Sequence, residues 1–319
     1  MQASRLYARF DHEHGCRHLL CAFNSYDCPA AGRETRLQNS KWLLTYGLST
    51  LWFAEADADA GSRTWYTGYD FEIQQWLRQA IRGQGIRHVT FVGSSLGGYA
   101  GLRHAMLLGD EPELVSATAY AVNAQSGFGE PLMDEIRAGM RRVGWRQADL
   151  GDHPILPRKH DLCAAPDSVP ESDLLTLGRA LPIGPKVRLE VFYDAHNPIE
   201  AGFSERLGAL RGARLHPFKL GVPHGAGARH ILLSRRTREH MDEHLGLWPE
   251  GRGQRPLMAQ PAMPDPPPFR AAAPGSTVEP LAAPPTPAAA TPTPPAPVPP
   301  ARDLARLWRR LAEPAAEQA

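Results

Sequence analysis

Cysteine is scarce in this chain, with four in 319 residues, and Cys16, Cys21, Cys28 and Cys163 form no C-x-x-C pair. So few thiols cannot build a disulfide framework for a chain of this length, and they fit the reduced state of a cytoplasmic protein. Long apolar runs are missing too. No stretch approaches the roughly 20 apolar residues of a membrane helix, and the segment 1–7 lacks the continuous apolar core of a secretory leader. Neither sign of charge dominates: 35 basic against 34 acidic side chains leave a formal net charge of +1. No global field therefore draws the protein to nucleic acid or to an anionic membrane. Lysine occurs at only four positions, the other 31 basic residues being arginine, which codon bias in a GC-rich genome accounts for.

Proline, by contrast, is abundant and unevenly placed. Of 31 prolines, 18 lie in residues 251–319, mostly in Pro-Ala-Thr sequence that cannot bury enough apolar surface to fold. Residues 251–300 are expected to be a disordered, semi-rigid linker. Beyond it, Leu304, Leu307, Trp308 and Leu311 stand at i, i+3, i+4 and i+7 among arginines. Residues 301–319 thus read as a short amphipathic helix and tail, suited to a protein partner or an anionic surface.

The first 250 residues alternate between strand and helix patterns. Strand patterns cover Leu6–Phe10, Arg17–Phe23, Ser49–Phe53, Arg87–Val92, Leu114–Val122, Val187–Tyr193 and Ala213–Leu220. Helical spacing covers 36–44, 71–81, 96–108, 201–210 and 229–244, with Trp76 on the expected core face of its helix. Such alternation predicts βαβ units and a mostly parallel, doubly wound sheet. Residues 126–185 interrupt it with helical patches and polar, proline-bearing sequence, as a lid insertion over a pocket would.

One segment concentrates the chemistry. Arg87–Val92 breaks into Gly93-Ser94-Ser95-Leu96-Gly97 and then into a small-residue helix, the pattern of a G-x-S-x-G nucleophile elbow. There glycines two before and two after the serine let strand and helix approach, and the helix N-terminus faces a developing oxyanion. Serine is a poor nucleophile at its free pKa and requires a base, itself held by an acid. Candidates follow in the order serine, acid, histidine. Asp194 comes directly after a strand and leads as the acid, with Glu200 as the alternative. Asn197, which lies between them, would mean a weakened triad if it held the acid position. His224, in a glycine-bearing loop after the last strand, leads as the base, ahead of His230 in the following helix and His216 within the strand. The backbone N–H of Leu96 and a donor at Asn24 or Ser25 are the candidate oxyanion hole. His12, His14, Cys16 and His18 alternate as metal ligands on one strand would, but Gly15 and the charges around it make that segment a turn. No metal or other cofactor is expected.

The elbow, its setting and the residue order resemble the α/β-hydrolase superfamily, in particular serine esterases and lipases, over about residues 5–247. The resemblance implies an α/β-hydrolase domain at 1–250 with a lid at 126–185. The segments Gly93–Leu102 and Tyr193-Asp194-Ala195-His196-Asn197-Pro198 are also similar to bacterial hydrolase-like proteins associated with glycan or secretion machinery, including accessory-secretion acetyltransferases. Hydrolysis of an ester or thioester through an acyl-enzyme on Ser95 is the implied activity, with a small-molecule or glycan acyl ester as substrate. Acyl transfer on the same triad and a non-catalytic, partner-binding scaffold are the alternatives.

Overall fold

The computed structural model describes residues 5–24, 43–56, 66–127, 173–181 and 183–245, together with residues 132, 134, 138 and 141. Seven strands form one sheet: β1 (Arg5–Asp11), β2 (His18–Phe23), β3 (Ser49–Ala56), β4 (His88–Ser94), β5 (Ser116–Val122), β6 (Val187–Asp194) and β7 (Ala213–Phe218). Their order is β1-β3-β2-β4-β5-β6-β7. Only β1 runs antiparallel, against β3, and every other neighbouring pair is parallel. All seven strand patterns of the sequence thus correspond to strands.

Among the described residues, helices include α1 (Asp70–Gln84), α2 (Leu96–Leu107), α3 (Leu174–Ala180), α4 (Pro198–Leu207), α5 (His224–Leu233) and α6 (Arg235–Leu245). Strand side chains alternate between two cores, because successive Cβ atoms point to opposite faces. Leu19, Cys21 and Phe23 of β2 join a core with Ile73 and Leu77 of α1, Leu102 of α2, and Phe203 of α4. Leu20 and Ala22 face the other way, toward Ala228 and Ile231 of α5 and Met241 and Leu245 of α6. A strand covered on both sides is mostly apolar; all six residues of β2 are buried, and its one polar side chain, His18, bonds Thr90.

The winding reverses between β2 and β4: β3 lies to one side of β2, and β4 through β7 add successively on the other. Such a switch point opens a crevice at the carboxyl ends of the strands. The elbow leaves β4 there.

Three expectations change. The helix expected at 229–244 is two, beginning at His224 and separated by Ser234. Helix α4 begins at Pro198, three residues before the expected start. Trp76 is 45% exposed, not part of the core, since α1 turns Ile73, Gln74, Leu77 and Ile81 inward instead. Most of the helix at 36–44 and of the lid at 126–185, the 251–300 linker and the 301–319 segment lie outside the described residues, as do Ser25, Cys28 and Cys163. Among the described residues, no helix is long and apolar enough to cross a membrane.

Candidate active site

Ser95 sits between β4 and α2 with φ 53° and ψ −124°, a backbone conformation that L-residues rarely adopt and that costs on the order of 1–3 kcal/mol. The surroundings hold it there. Ser95 N–H donates to Val122 O of β5 (2.8 Å), and Tyr99 N–H donates to Ser95 O (2.9 Å). The flanking glycines are required by contact: a Cβ on Gly93 would lie 2.3 Å from the Gly97 carbonyl group, and one on Gly97 would lie 2.4 Å from Phe23 O. Thus the N-terminus of α2 rests directly on the end of β2. Leu96, Gly97 and Gly98 open α2, where backbone N–H groups have no intrahelical acceptor.

Helix α2 is buried along its whole length. Arg103 Nε and Nη2 grip Asp70 of α1 at 2.9 and 2.6 Å, and Gln74 of α1 hydrogen-bonds His104 Nδ1 at 3.0 Å. Burial holds the His104 imidazole down at a pKa of about 4 against the nearby Asp70 charge, so at neutral pH it is an uncharged ring. It stacks on Phe23 at 5.4 Å. The serine is therefore mounted on a helix tied to α1 by a buried ion pair and to β2 by contact.

The candidate acids and bases follow β6 and β7. His224 is the first residue of α5, and its Nδ1–H donates to Glu200 Oε1 at 2.5 Å. Both residues are buried. Glu200 occupies the third position of α4, behind Pro198 and Ile199, and Asn197 Oδ1 caps that helix by accepting from the N–H groups of Ile199 (3.0 Å) and Glu200 (3.4 Å). A carboxylate in a first helical turn gains from the helix dipole.

Asp194, the leading acid candidate in the sequence, points elsewhere. Its Oδ1 accepts from His196 N–H and Leu220 N–H, both at 3.0 Å, and its Oδ2 accepts from Val222 N–H at 3.1 Å. Its carboxylate is thus spent on backbone donors that join the β6 and β7 loops, and the carboxylate that meets His224 is Glu200. Asn197 is no substitute acid either: Nδ2–H donates to Val222 O at 3.0 Å while Oδ1 caps α4. His230 lies farther along α5, half-buried, beside a surface hollow lined by Phe218, Lys219 and Arg235. His216 Nε2 meets Glu190 Oε2 at 2.7 Å.

Of the oxyanion candidates, Leu96 stands at the first position of α2. Asn24 does not serve through its main chain, because its N–H donates to Phe53 O at 3.1 Å and so extends the β2–β3 pairing by one residue. A residue that sequence reasoning left without a role is also here: Gln125, after β5, is buried and donates from Nε2 to Ser95 Oγ at 3.4 Å. Its neighbour Asn123 has a positive φ of 45° and accepts from Asp194 N–H at 3.2 Å. The only signal for either was a polar pair directly after a strand. The alternating segment His12 to His18 is a turn followed by the start of β2: His12 and His14 are exposed, and the buried His18 Nε2 bonds Thr90 Oγ1 at 2.8 Å.

No protein-family profile matches the chain, and no curated sequence does. Solved structures do. An esterase from the bacterial hormone-sensitive lipase family superposes with a TM-score of 0.50 over 77% of this chain and 85% of its own, at 12% identity. The fold is the α/β-hydrolase fold. The glycosylation-associated protein (Gap123) complex from Streptococcus agalactiae superposes with a TM-score of 0.53 over 78% of this chain at 10% identity, and the chain spans 46% of that structure's length. A capsule O-acetyltransferase of Neisseria meningitidis serogroup A gives a TM-score of 0.45 over 75% of this chain and 91% of its own, at 16% identity. Identities this low make the likeness one of α/β-hydrolase architecture alone.

Proposed function

We propose that the protein is a serine-dependent carboxylic ester hydrolase with Ser95 as nucleophile, His224 as base and Glu200 as the acid behind it. The observation that carries this reading is the His224–Glu200 contact at 2.5 Å, made by loops that leave the same carboxyl edge of the sheet as the Ser95 elbow. Donation of Nδ1–H to Glu200 leaves the imidazole lone pair on Nε2, the nitrogen that takes the Ser95 proton as Oγ attacks the carbonyl. The tetrahedral oxyanion is met by Leu96 N–H at the positive end of α2. Protonated His224, steadied by the Glu200 carboxylate, returns its proton to the leaving alcohol or thiol. Water then releases the acyl group by the same route. An acyl ester of a small molecule or glycan is the substrate class. An acceptor hydroxyl in place of water makes the same acyl-enzyme a transferase, and product partition with an added alcohol or sugar separates the two outcomes.

The alternative is a non-catalytic scaffold with a lost acid at Asn197; Asn197 as a helix cap and Glu200 on His224 support the catalytic reading over it. A fluorophosphonate probe is expected to label the wild type at Ser95, and Ser95→Ala is expected to abolish both labelling and p-nitrophenol release from short acyl esters. Full activity in the Ser95→Ala variant, or no labelling of folded wild type, overturns the proposal.

A further inference from the structure

On the sheet face covered by α6, a second group of side chains converges. Glu190 of β6, His216 of β7 and His240 of α6 place one ligand-competent atom each within 4.8 Å of one another. We propose that these three residues form a binding site for a borderline divalent cation, with zinc as the ion that suits them best.

The donor set is two imidazoles and one carboxylate, the ligand types zinc takes in open sites. Glu190 Oε2 is 2.7 Å from His216 Nε2 and 3.5 Å from His240 Nε2. Tetrahedral zinc with bonds of roughly 2.1 Å requires ligand atoms about 3.4 Å apart; the two separations from Glu190 bracket that value, and the two histidine nitrogens lie within 4.8 Å of each other. Every ligand comes from a different, firmly held element. Phe192 stacks on the His216 ring at 4.4 Å, and Tyr120 sets its edge against His240 at 6.0 Å, which restrains both imidazoles.

Solvent access fits an open site rather than a sealed one. The Glu190 side chain is 2% exposed, His216 18% and His240 30%, so the carboxylate forms the floor and the histidines the mouth, with room for water as the fourth ligand. The charged neighbours do not compete for the ligand oxygen. Arg214 Nη1 approaches Glu190 on its other oxygen, Oε1, at 3.8 Å. His244, one turn beyond His240, is engaged with Arg188 Nη1 at 3.2 Å and stays outside the triad. Without an ion, His216 Nε2–H donates to the buried carboxylate. Metal binding takes the other tautomer of the neutral ring: the Nε2 proton passes to Nδ1 by way of water, the freed Nε2 lone pair goes to the metal, and the Glu190 oxygen turns to the cation. Bound this way, the ion fastens α6 to β6 and β7.

Calorimetric titration of chelator-treated full-length protein with zinc chloride tests the proposal, together with thermal melts. One zinc per chain is expected, with a melting temperature about 5–10 °C higher at zinc a hundredfold above Kd. Either His240→Ala or His216→Gln should weaken binding about 100-fold or more, since even outer-shell partners of a metal site are worth 10–100-fold. His12→Ala with His14→Ala, which removes two exposed histidines elsewhere, should leave stoichiometry and affinity unchanged. Circular dichroism of each variant without zinc establishes that it is folded, and His216→Gln covers the case in which His240→Ala is not. Absence of zinc binding by the wild type, or binding that survives either ligand substitution in a folded variant, overturns the proposal.

Discussion

Glu200→Gln and Asp194→Asn separate catalysis from architecture. Both replace a buried carboxylate by its amide with little change in volume, but the two carboxylates have different partners. Glu200 meets His224 Nδ1 at 2.5 Å. Its amide can still accept that hydrogen bond but supplies no charge to the imidazolium of the transition state, and loss of this charge in a serine triad costs roughly 10⁴-fold in kcat. Asp194 accepts three backbone N–H groups through two oxygens. An amide has one accepting oxygen, so whichever way it is flipped at least one N–H faces another donor. Losing a charge-assisted hydrogen bond and stranding its donor costs about 2–3 kcal/mol, or about 4–12 °C in melting temperature for a domain of this size. Steady-state hydrolysis of p-nitrophenyl acetate and a thermal melt on each variant measure both quantities. Glu200→Gln should lose turnover at nearly unchanged melting temperature, and Asp194→Asn should melt early while retaining turnover within about tenfold at low temperature. The reverse pattern would refute the reasoning and return the acid to Asp194.

Acid should weaken the fold through two histidines. Burial lowers the pKa of His18 to about 3 and of His104 to about 4, from 6.5. The unfolded chain therefore takes up protons below pH 6.5 that the native state refuses, and the stability present above that pH is lost as pH falls toward 4, by about 1.4 kcal/mol per pH unit per histidine. Urea unfolding at pH 7 and pH 5 should show a loss of about 2 kcal/mol from each, and His104→Gln should remove its share; an equal pH dependence in wild type and variant contradicts the assignment. At the elbow, Gly97→Ala places a methyl 2.4 Å from Phe23 O and should abolish fluorophosphonate labelling and lower the melting temperature by several degrees. Gly101→Ala, whose nearest contact is Phe91 Cβ at 3.4 Å, should change stability by less than about 1 kcal/mol.

The strands and the elbow were legible because their signals are local. A strand buried on both faces is an apolar run, and Gly-x-Ser-x-Gly after such a run encodes a close approach that only glycine permits. Which acidic residue reaches the histidine is not local in that way, since Asp194 and Glu200 both follow the same strand. One signal was nonetheless present: Asn197-Pro198-Ile199-Glu200 reads as an N-cap, a proline at the first helical position and a glutamate at the third, which starts α4 three residues early and carries Glu200 into its first turn. The Glu190, His216 and His240 group was invisible for the opposite reason. Each belongs to a different element, and only the β6–β7 register and the seat of α6 bring them together. Asn24 misled because chain order cannot reveal that β2–β3 pairing runs one residue past the strand and consumes its N–H.

The separation between Glu200 and His224 is set by other residues. Val222, two residues before His224, donates its N–H to Asp194 and accepts through its carbonyl from Asn197 Nδ2–H. Asp194 ends β6 and Asn197 lies in the loop after it that delivers Glu200, so the β7 loop is stitched to the β6 end through both polar groups of one peptide residue. Leu220 N–H adds a further tie to Asp194, and Asn197 Oδ1 fixes where α4 begins. With five hydrogen bonds holding the two loops and the helix start in register, the Glu200 carboxylate and the His224 ring meet without having to order the loops themselves. Two polar residues that resemble an acid and its degenerate replacement in the sequence are, in the fold, the fittings that hold the Glu200 carboxylate against His224.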